Sequence, residues 1–454
     1  MSLYTRIIRP LLQRFSIRCS MWCRLHMSVR TRFFMVCLIT CLVSGIAAWI
    51  LKSLIKILST ELTSSLSNNG FNWILLAAPC GGIVLTALLQ RFIFHRRITD
   101  GTEKIHSYIK SGQSLLPHQL TYEPIVGCAI TVGMGGSAGA EGPVAYAGAA
   151  IGSNSSRFFS LSQEHMRVMI GIGAGTGIAA IFKAPLAGVF YTLEVLGMSM
   201  NSVSVLILVV CCLISSGLVY VLSGFHEELA IQAGLTNFNY SQTAWLLVIG
   251  IVTGLYCKWY VHSGIYTGKL CRRIKNKPAL HIASGLILGL MVFCFPTMFG
   301  EGYSSMKHLL AGNSESLTSF SPFTHIHSIW VVPGILAGII FLKGIAVTLT
   351  DKGGGIAGTF TPTLFAGCMA GGLIACAVPY IGCHIPASQI AYLCMGGAMA
   401  GIIGAPLMAT FITIEVTMTY SMLIPTAIVA FTSYAVSRTN FNNIKPHKKE
   451  TVNL

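Results

Sequence analysis

The sequence predicts an all-α polytopic membrane protein made of two duplicated halves with broken, re-entrant helices. Composition, the lengths of the apolar runs and a glycine-rich motif written twice carry that prediction. Only 10% of the 454 residues are charged, 53% are hydrophobic, and the mean hydropathy is +0.70. Soluble domains carry roughly 25% charged residues, so a soluble fold is excluded. Apolar runs read as membrane-crossing lie at 33–50, 202–221, 244–260, 282–295 and 329–342. A span needs roughly 20 residues. The runs 125–134, 143–152, 168–182 and 389–408 are too short or too rich in glycine to cross alone. They read as half-helices or re-entrant pieces, which survive at membrane depth only inside protein or against a watery cavity.

Charge then orients the chain. The net charge is +16, yet it lies in short flanks of the apolar segments, which argues for membrane topology and against nucleic acid. Residues 1–32 hold Arg6, Arg9, Arg14, Arg18, Arg24, Arg30 and Arg32 and no acid. Further clusters are Arg91/Arg96/Arg97, Arg272/Arg273/Lys275/Lys277 and Lys445/Lys448/Lys449. The positive-inside rule makes these cytoplasmic, so both termini are cytoplasmic and the segments 61–72, 224–243 and 299–327 face outward. Three parts follow: a basic cytoplasmic arm (1–32), one membrane domain (33–438, halves at about 70–222 and 243–438), and a short tail (439–454). The 15 cysteines show no metal-ligand spacing and read as small core hydrophobes. No cofactor is called for. An enzyme is not expected either, since His226-Glu227-Glu228-Leu229-Ala230 carries half of a zinc-protease helix but alanine at the second ligand.

The repeats locate the chemistry. Gly135-Gly136-Ser137-Ala138-Gly139-Ala140-Glu141-Gly142-Pro143, running on to Ala147-Gly148, matches Gly354–Pro362 and Ala366-Gly367. At a constant offset of 219, seven of fourteen positions are identical. A second echo, Ala184–Val195 against Ala405–Val416, keeps seven of twelve at an offset of 221. Duplicated halves with broken helices at matching positions point to a transporter-type site. In each copy a glycine-rich turn leads into a proline suited to the first helical turn, leaving free N–H groups at a positive dipole end. Two such ends would hold a small anion without any full positive charge, and weak binding is what conduction needs. The second copy lacks an acid; the first carries Glu141. A carboxylate there competes with the anion for the same amides, and protonation would release it, so Glu141 reads as an acid-sensitive gate. The plainer reading is a helix cap worth about 1 kcal/mol.

With these motifs quoted, the chain resembles the CLC family of chloride channels and proton/chloride antiporters, of the prokaryotic type. The carriers are GGSAGAEGPVAYAGAAIGS, GIGAGTGIAAIFKAPLAGVFYTLEV, GGGIAGTFTPTLFAG and APLMATFITIEVT, with Gly300-Glu301-Gly302-Tyr303 between them. The resemblance implies a CLC-type fold of two inverted structural repeats and a homodimer in membrane lipid, in the bacterial inner membrane. It implies chloride as the transported ligand. Glu141 falls on the gating glutamate, and Gly139, Ala140, Gly142, Gly358, Thr359 and Phe360 fall on the anion-binding turns.

Departures from the family pattern sharpen the expectation. Ala140 stands where the family has an arginine. Thr99-Asp100-Gly101-Thr102-Glu103 corresponds to a serine-containing anion motif, with Thr99, Asp100 and Thr102 as candidates in place of the serine. The family's C-terminal tyrosine has no counterpart, and Lys445 takes its place. Val195 occupies a position where well-known antiporters carry a proton-relaying glutamate, which implies passive, channel-like conduction. Glu194 and Glu415 read as helix-end structure. Three alternatives are weighed: coupled proton/chloride antiport, a fluoride exporter of the same family, and, outside the family, a cation-coupled carrier.

Overall fold

The computed structural model describes residues 20, 21, 23–67, 72–98, 101–225, 229, 242–324, 326, 328–378, 382 and 385–439. Thr99, Asp100, the His226–Glu228 acids and histidine, Lys445 and most of the basic arm lie outside the described residues.

Ser28 starts the first long helix by accepting the Thr31 N–H at 3.2 Å. That helix, α1 (Val29–Thr63), is followed by α2 (Trp73–Leu89), α3 (Gly101–Ser111) and α4 (Glu123–Gly133). Then come α5 (Glu141–Phe158), α6 (Gln163–Phe182), α7 (Pro185–Phe190) and α8 (Ser202–Leu222). The second half opens with α9 (Thr243–Arg273), α10 (Lys277–Cys294), α11 (Tyr303–Leu310) and α12 (Val331–Lys352). It closes with α13 (Phe360–Ala377), α14 (Ala387–Ile403), α15 (Pro406–Thr417) and α16 (Leu423–Arg438).

Nine helices among the described residues are long and apolar enough to cross a membrane. All five runs expected to cross fall wholly or largely within such helices, and 73–94, 360–377 and 420–438 are further ones. One expectation is corrected: 168–182 is no fragment but the body of α6, a 20-residue helix of crossing length. Its polar first turn, Gln163-Glu164-His165, hid its true start from an apolar count. The run 389–408 does break, at Gly404 in the left-handed region with φ 86°.

The repeat is visible in the backbone itself. Gly135 and Gly354 have φ 93° and 112°, and the residues that begin α5 and α13 follow Ala140 (φ −95°, ψ −3°) and Thr359 (φ −106°, ψ −9°). Ala184 (φ −126°, ψ 87°) and Ala405 (φ −133°, ψ 81°) lead into α7 and α15 alike. Inside the bundle α5 packs on α6 and α13 on α14. Their approach is close because the contact residues are small. A Cβ on Gly148 would stand 2.1 Å from the Gly173 oxygen, and one on Gly173 the same distance from the Gly148 oxygen. Burial is 78% for the apolar windows of both α6 and α13, against 33% for α8 and α10, so the motif-bearing helices sit at the centre.

Candidate functional site

The two glycine turns meet. Gly139 donates its N–H to the Gly358 oxygen at 3.0 Å, and Gly358 returns the bond to the Gly139 oxygen at 2.6 Å. This isolated antiparallel bridge sets the N-terminus of α5 beside that of α13. Side chains would block it: a Cβ on Gly139 would lie 2.2 Å from Glu141 Oε2, and one on Gly358 would lie 2.6 Å from the Gly142 nitrogen.

Glu141 is 1% exposed and reaches across the bridge. Its Oε1 accepts the Thr361 N–H at 3.0 Å and the Thr361 hydroxyl as well. Oε2 has no hydrogen-bond partner among the described residues. The gate candidate therefore caps the helix of the other copy, taking the amide at the second position of α13. Gly139, Ala140, Gly142, Gly358 and Phe360 are buried around it, and Thr359 is half-buried.

Thr102, in the first turn of α3, has its hydroxyl 3.2 Å from that of Tyr191. Tyr191 is fully buried, with its ring edge-on to Phe360 at 5.7 Å between centroids. Sequence reading passed over this tyrosine because a hydroxyl inside an apolar run carries no local signal. Val195 closes the short π-helical turn after α7 and packs on the main core.

Glu194 and Glu415 are engaged with helix ends, each in the opposite half. Glu194 accepts the Leu407 and Met408 amides at 3.3 and 2.7 Å, in the first turn of α15. Glu415 accepts the Leu186 and Ala187 amides at 3.0 and 2.9 Å, in the first turn of α7. Both carboxylates sit where dipole and free N–H groups favour them.

Three further charged groups were not anticipated. Lys343, on α12, is fully buried; its Nζ donates to Ser137 Oγ at 2.8 Å and lies 4.3 Å from the Phe365 ring centroid. A lysine thus stands against the first glycine loop, delivered by a helix 206 residues away in sequence. Lys52 on α1 pairs with Glu301 at 2.9 Å and lies 4.2 Å from the Tyr303 ring centroid. The Tyr303 hydroxyl is 3.1 Å from Thr361 Oγ1. Lys52, Glu301 and Tyr303 line a cavity of about 840 Å³.

Broken helices whose N-termini meet at a buried carboxylate, inside a bundle of crossing helices, define an integral membrane protein of transporter architecture. The chain belongs to the family described as voltage gated chloride channel, whose profile matches residues 82–438. It is 29% identical over 317 residues to the "Voltage-gated ClC-type chloride channel ClcB" of Salmonella typhi, covering 68% of this chain and 71% of that one. Two solved structures share the fold. One is titled a slow cyanobacterial Cl-/H+ antiporter (TM-score 0.72, 20% identity, covering 89% of this chain and 94% of that chain). The other is titled a CLC-type fluoride/proton antiporter (TM-score 0.73, 22% identity, covering 90% and 95%). The architecture is thus the all-α, CLC-type arrangement of two inverted repeats.

Proposed function

We propose that the protein carries chloride across the membrane past the Gly139–Gly358 bridge, with Glu141 as a protonatable gate. The observation that carries this reading is a buried carboxylate holding the amide and hydroxyl of Thr361 while its second oxygen faces the glycine bridge unpartnered. Chloride is an acceptor of the same kind, so it competes for the same donors. Protonation removes the carboxylate's charge, loosens its hold and leaves the amides of the two helix ends to the anion. Neutral donors beside Phe360, the Thr102 and Tyr191 hydroxyls, continue the path without trapping the ion.

Conduction is passive in this reading. Val195 supplies no proton-carrying group, and both oxygens of the neighbouring Glu194 are occupied by the α15 amides. Coupled proton/chloride antiport is the second reading, favoured by the two solved structures of like fold, a Cl-/H+ antiporter and a fluoride/proton antiporter. The protein works as a homodimer in the bacterial inner membrane, with both termini cytoplasmic.

Purified protein in chloride-loaded liposomes decides the mode when anion efflux and external pH are recorded together, with and without a proton ionophore. Passive conduction gives chloride efflux without linked proton movement; protons driven against their gradient by chloride establish antiport. Glu141→Gln should keep the flux but remove its acid dependence. Unchanged flux and unchanged acid dependence would reduce Glu141 to a cap.

A further inference from the structure

We propose that Lys52 is the anion-recruiting cation of the cavity above the gate, and that Glu301 holds it in check. The inference rests on the chloride path proposed above. Ala140 leaves the gate without a neighbouring positive charge in its own motif, so any such charge has to arrive from elsewhere in the fold. The cavity is lined by Lys52, Lys56, Lys183, Lys307 and His308, with Glu301 as the one acid among the described residues that line it. It lies at the end of α1 toward Thr63 and against 296–320, the face that the charge pattern directs outward. A cleft lined by one sign of charge concentrates counter-ions at its mouth.

Within that cleft Lys52 occupies a distinct place. Its side chain is 16% exposed and that of Glu301 9%, so the pair lies at the wall of the cavity and is poorly screened. From Lys52 the contacts run without interruption to the gate: over the Tyr303 ring at 4.2 Å, from the Tyr303 hydroxyl to Thr361 Oγ1 at 3.1 Å, and from Thr361 to Glu141. Tyr303 both lines the cavity and touches the residue that holds the gate. An anion that reaches this wall of the cavity meets Lys52 and competes there with the Glu301 carboxylate. The pair thus sets how strongly the vestibule draws chloride: Lys52 attracts, and Glu301 offsets.

Two neutralisations separate this role from that of a structural strut. In planar bilayers, with chloride varied on the cavity side, the half-saturating chloride concentration is measured for the native protein, Lys52→Gln and Glu301→Gln. Recruitment predicts opposite shifts, roughly tenfold upward for Lys52→Gln and downward for Glu301→Gln. A strut is broken equally by either change, so shifts in one direction, or none, overturn the proposal. Lys52→Arg and Glu301→Asp keep both charges and should stay near the native value. If a neutral variant fails to fold, the native protein still decides: raising ionic strength with an impermeant salt must raise the half-saturating concentration, and a flat response sinks the idea. A native protein that carries no chloride at all would instead remove the transport reading.

Discussion

Glu141 and Lys343 are both fully buried ionisable side chains; Glu141 holds the amide and hydroxyl of Thr361 at the start of α13, and Lys343 holds the hydroxyl of Ser137 in the first glycine loop. Burying a charge is costly unless donors or acceptors and polarisable neighbours surround it. Glu141 finds Thr361, and Lys343 finds Ser137 and the face of Phe365. Lys343 therefore acts as a positioning residue: it fixes the loop two residues before the Gly139 bridge. A hydrogen bond to a charged group contributes about 1.5–3 kcal/mol. Ser137→Ala should destabilise the native protein by that amount and the Lys343→Met protein by clearly less, as thermal unfolding in detergent would show. Equal costs in both backgrounds would mean that the two residues do not act together.

At the scale of elements, three carboxylates cap helices of the opposite half. Glu141 reaches α13, Glu194 reaches α15 and Glu415 reaches α7. Each meets the second or third amide of its target, the positions a local N-cap side chain would serve. None of these targets has a side-chain cap of its own. Replacing Glu194 or Glu415 by glutamine weakens the charge–dipole term, and each change should cost about 1 kcal/mol of stability. Glu194→Gln should leave the balance of chloride and proton movement as it was. A change in that balance at native stability would make Glu194 a proton carrier and not a cap.

Across the whole molecule, equivalent residues of the two halves touch each other. Gly139 exchanges both hydrogen bonds with Gly358, and Phe190 stacks on Phe411 with centroids 4.6 Å apart. The Glu194 and Glu415 caps are likewise reciprocal. Such self-complementary contact is what a two-fold axis requires. The basic flanks Arg272, Arg273, Lys275 and Lys277 sit at the turn between α9 and α10, and the cavity is lined by the C-terminal part of the long first helix, from Trp49 to Thr63. An epitope inserted after Lys275 should be reached by antibody only from the cytoplasmic side, and one inserted after Asn313 only from outside. The reverse labelling would invert the orientation drawn from the charge pattern.

Much of the candidate site was legible in the chain. The constant offset located both glycine turns, and the lone acid in them singled out Glu141. The proline spacing placed two helix starts where α5 and α13 do begin. Lys52, Tyr191, Glu301 and Lys343 were not legible as parts of one assembly. Each is an isolated polar residue whose partner lies on a distant segment of the chain, 249 residues away for the Lys52–Glu301 pair.

By itself, then, the sequence determined the class, the duplication, the membrane-crossing composition and the residues at which two helix N-termini would be exposed. Those properties follow from local spacing: apolar run length, glycine turns, and proline at the helix start. Tertiary structure alone decided which amides each carboxylate holds, which loop the buried lysine supports and what lines the vestibule. The reason is that free N–H groups at a helix end take whichever acceptor the fold brings near. Here the two halves approach about a two-fold axis, so each half supplies the acceptor that the other half lacks.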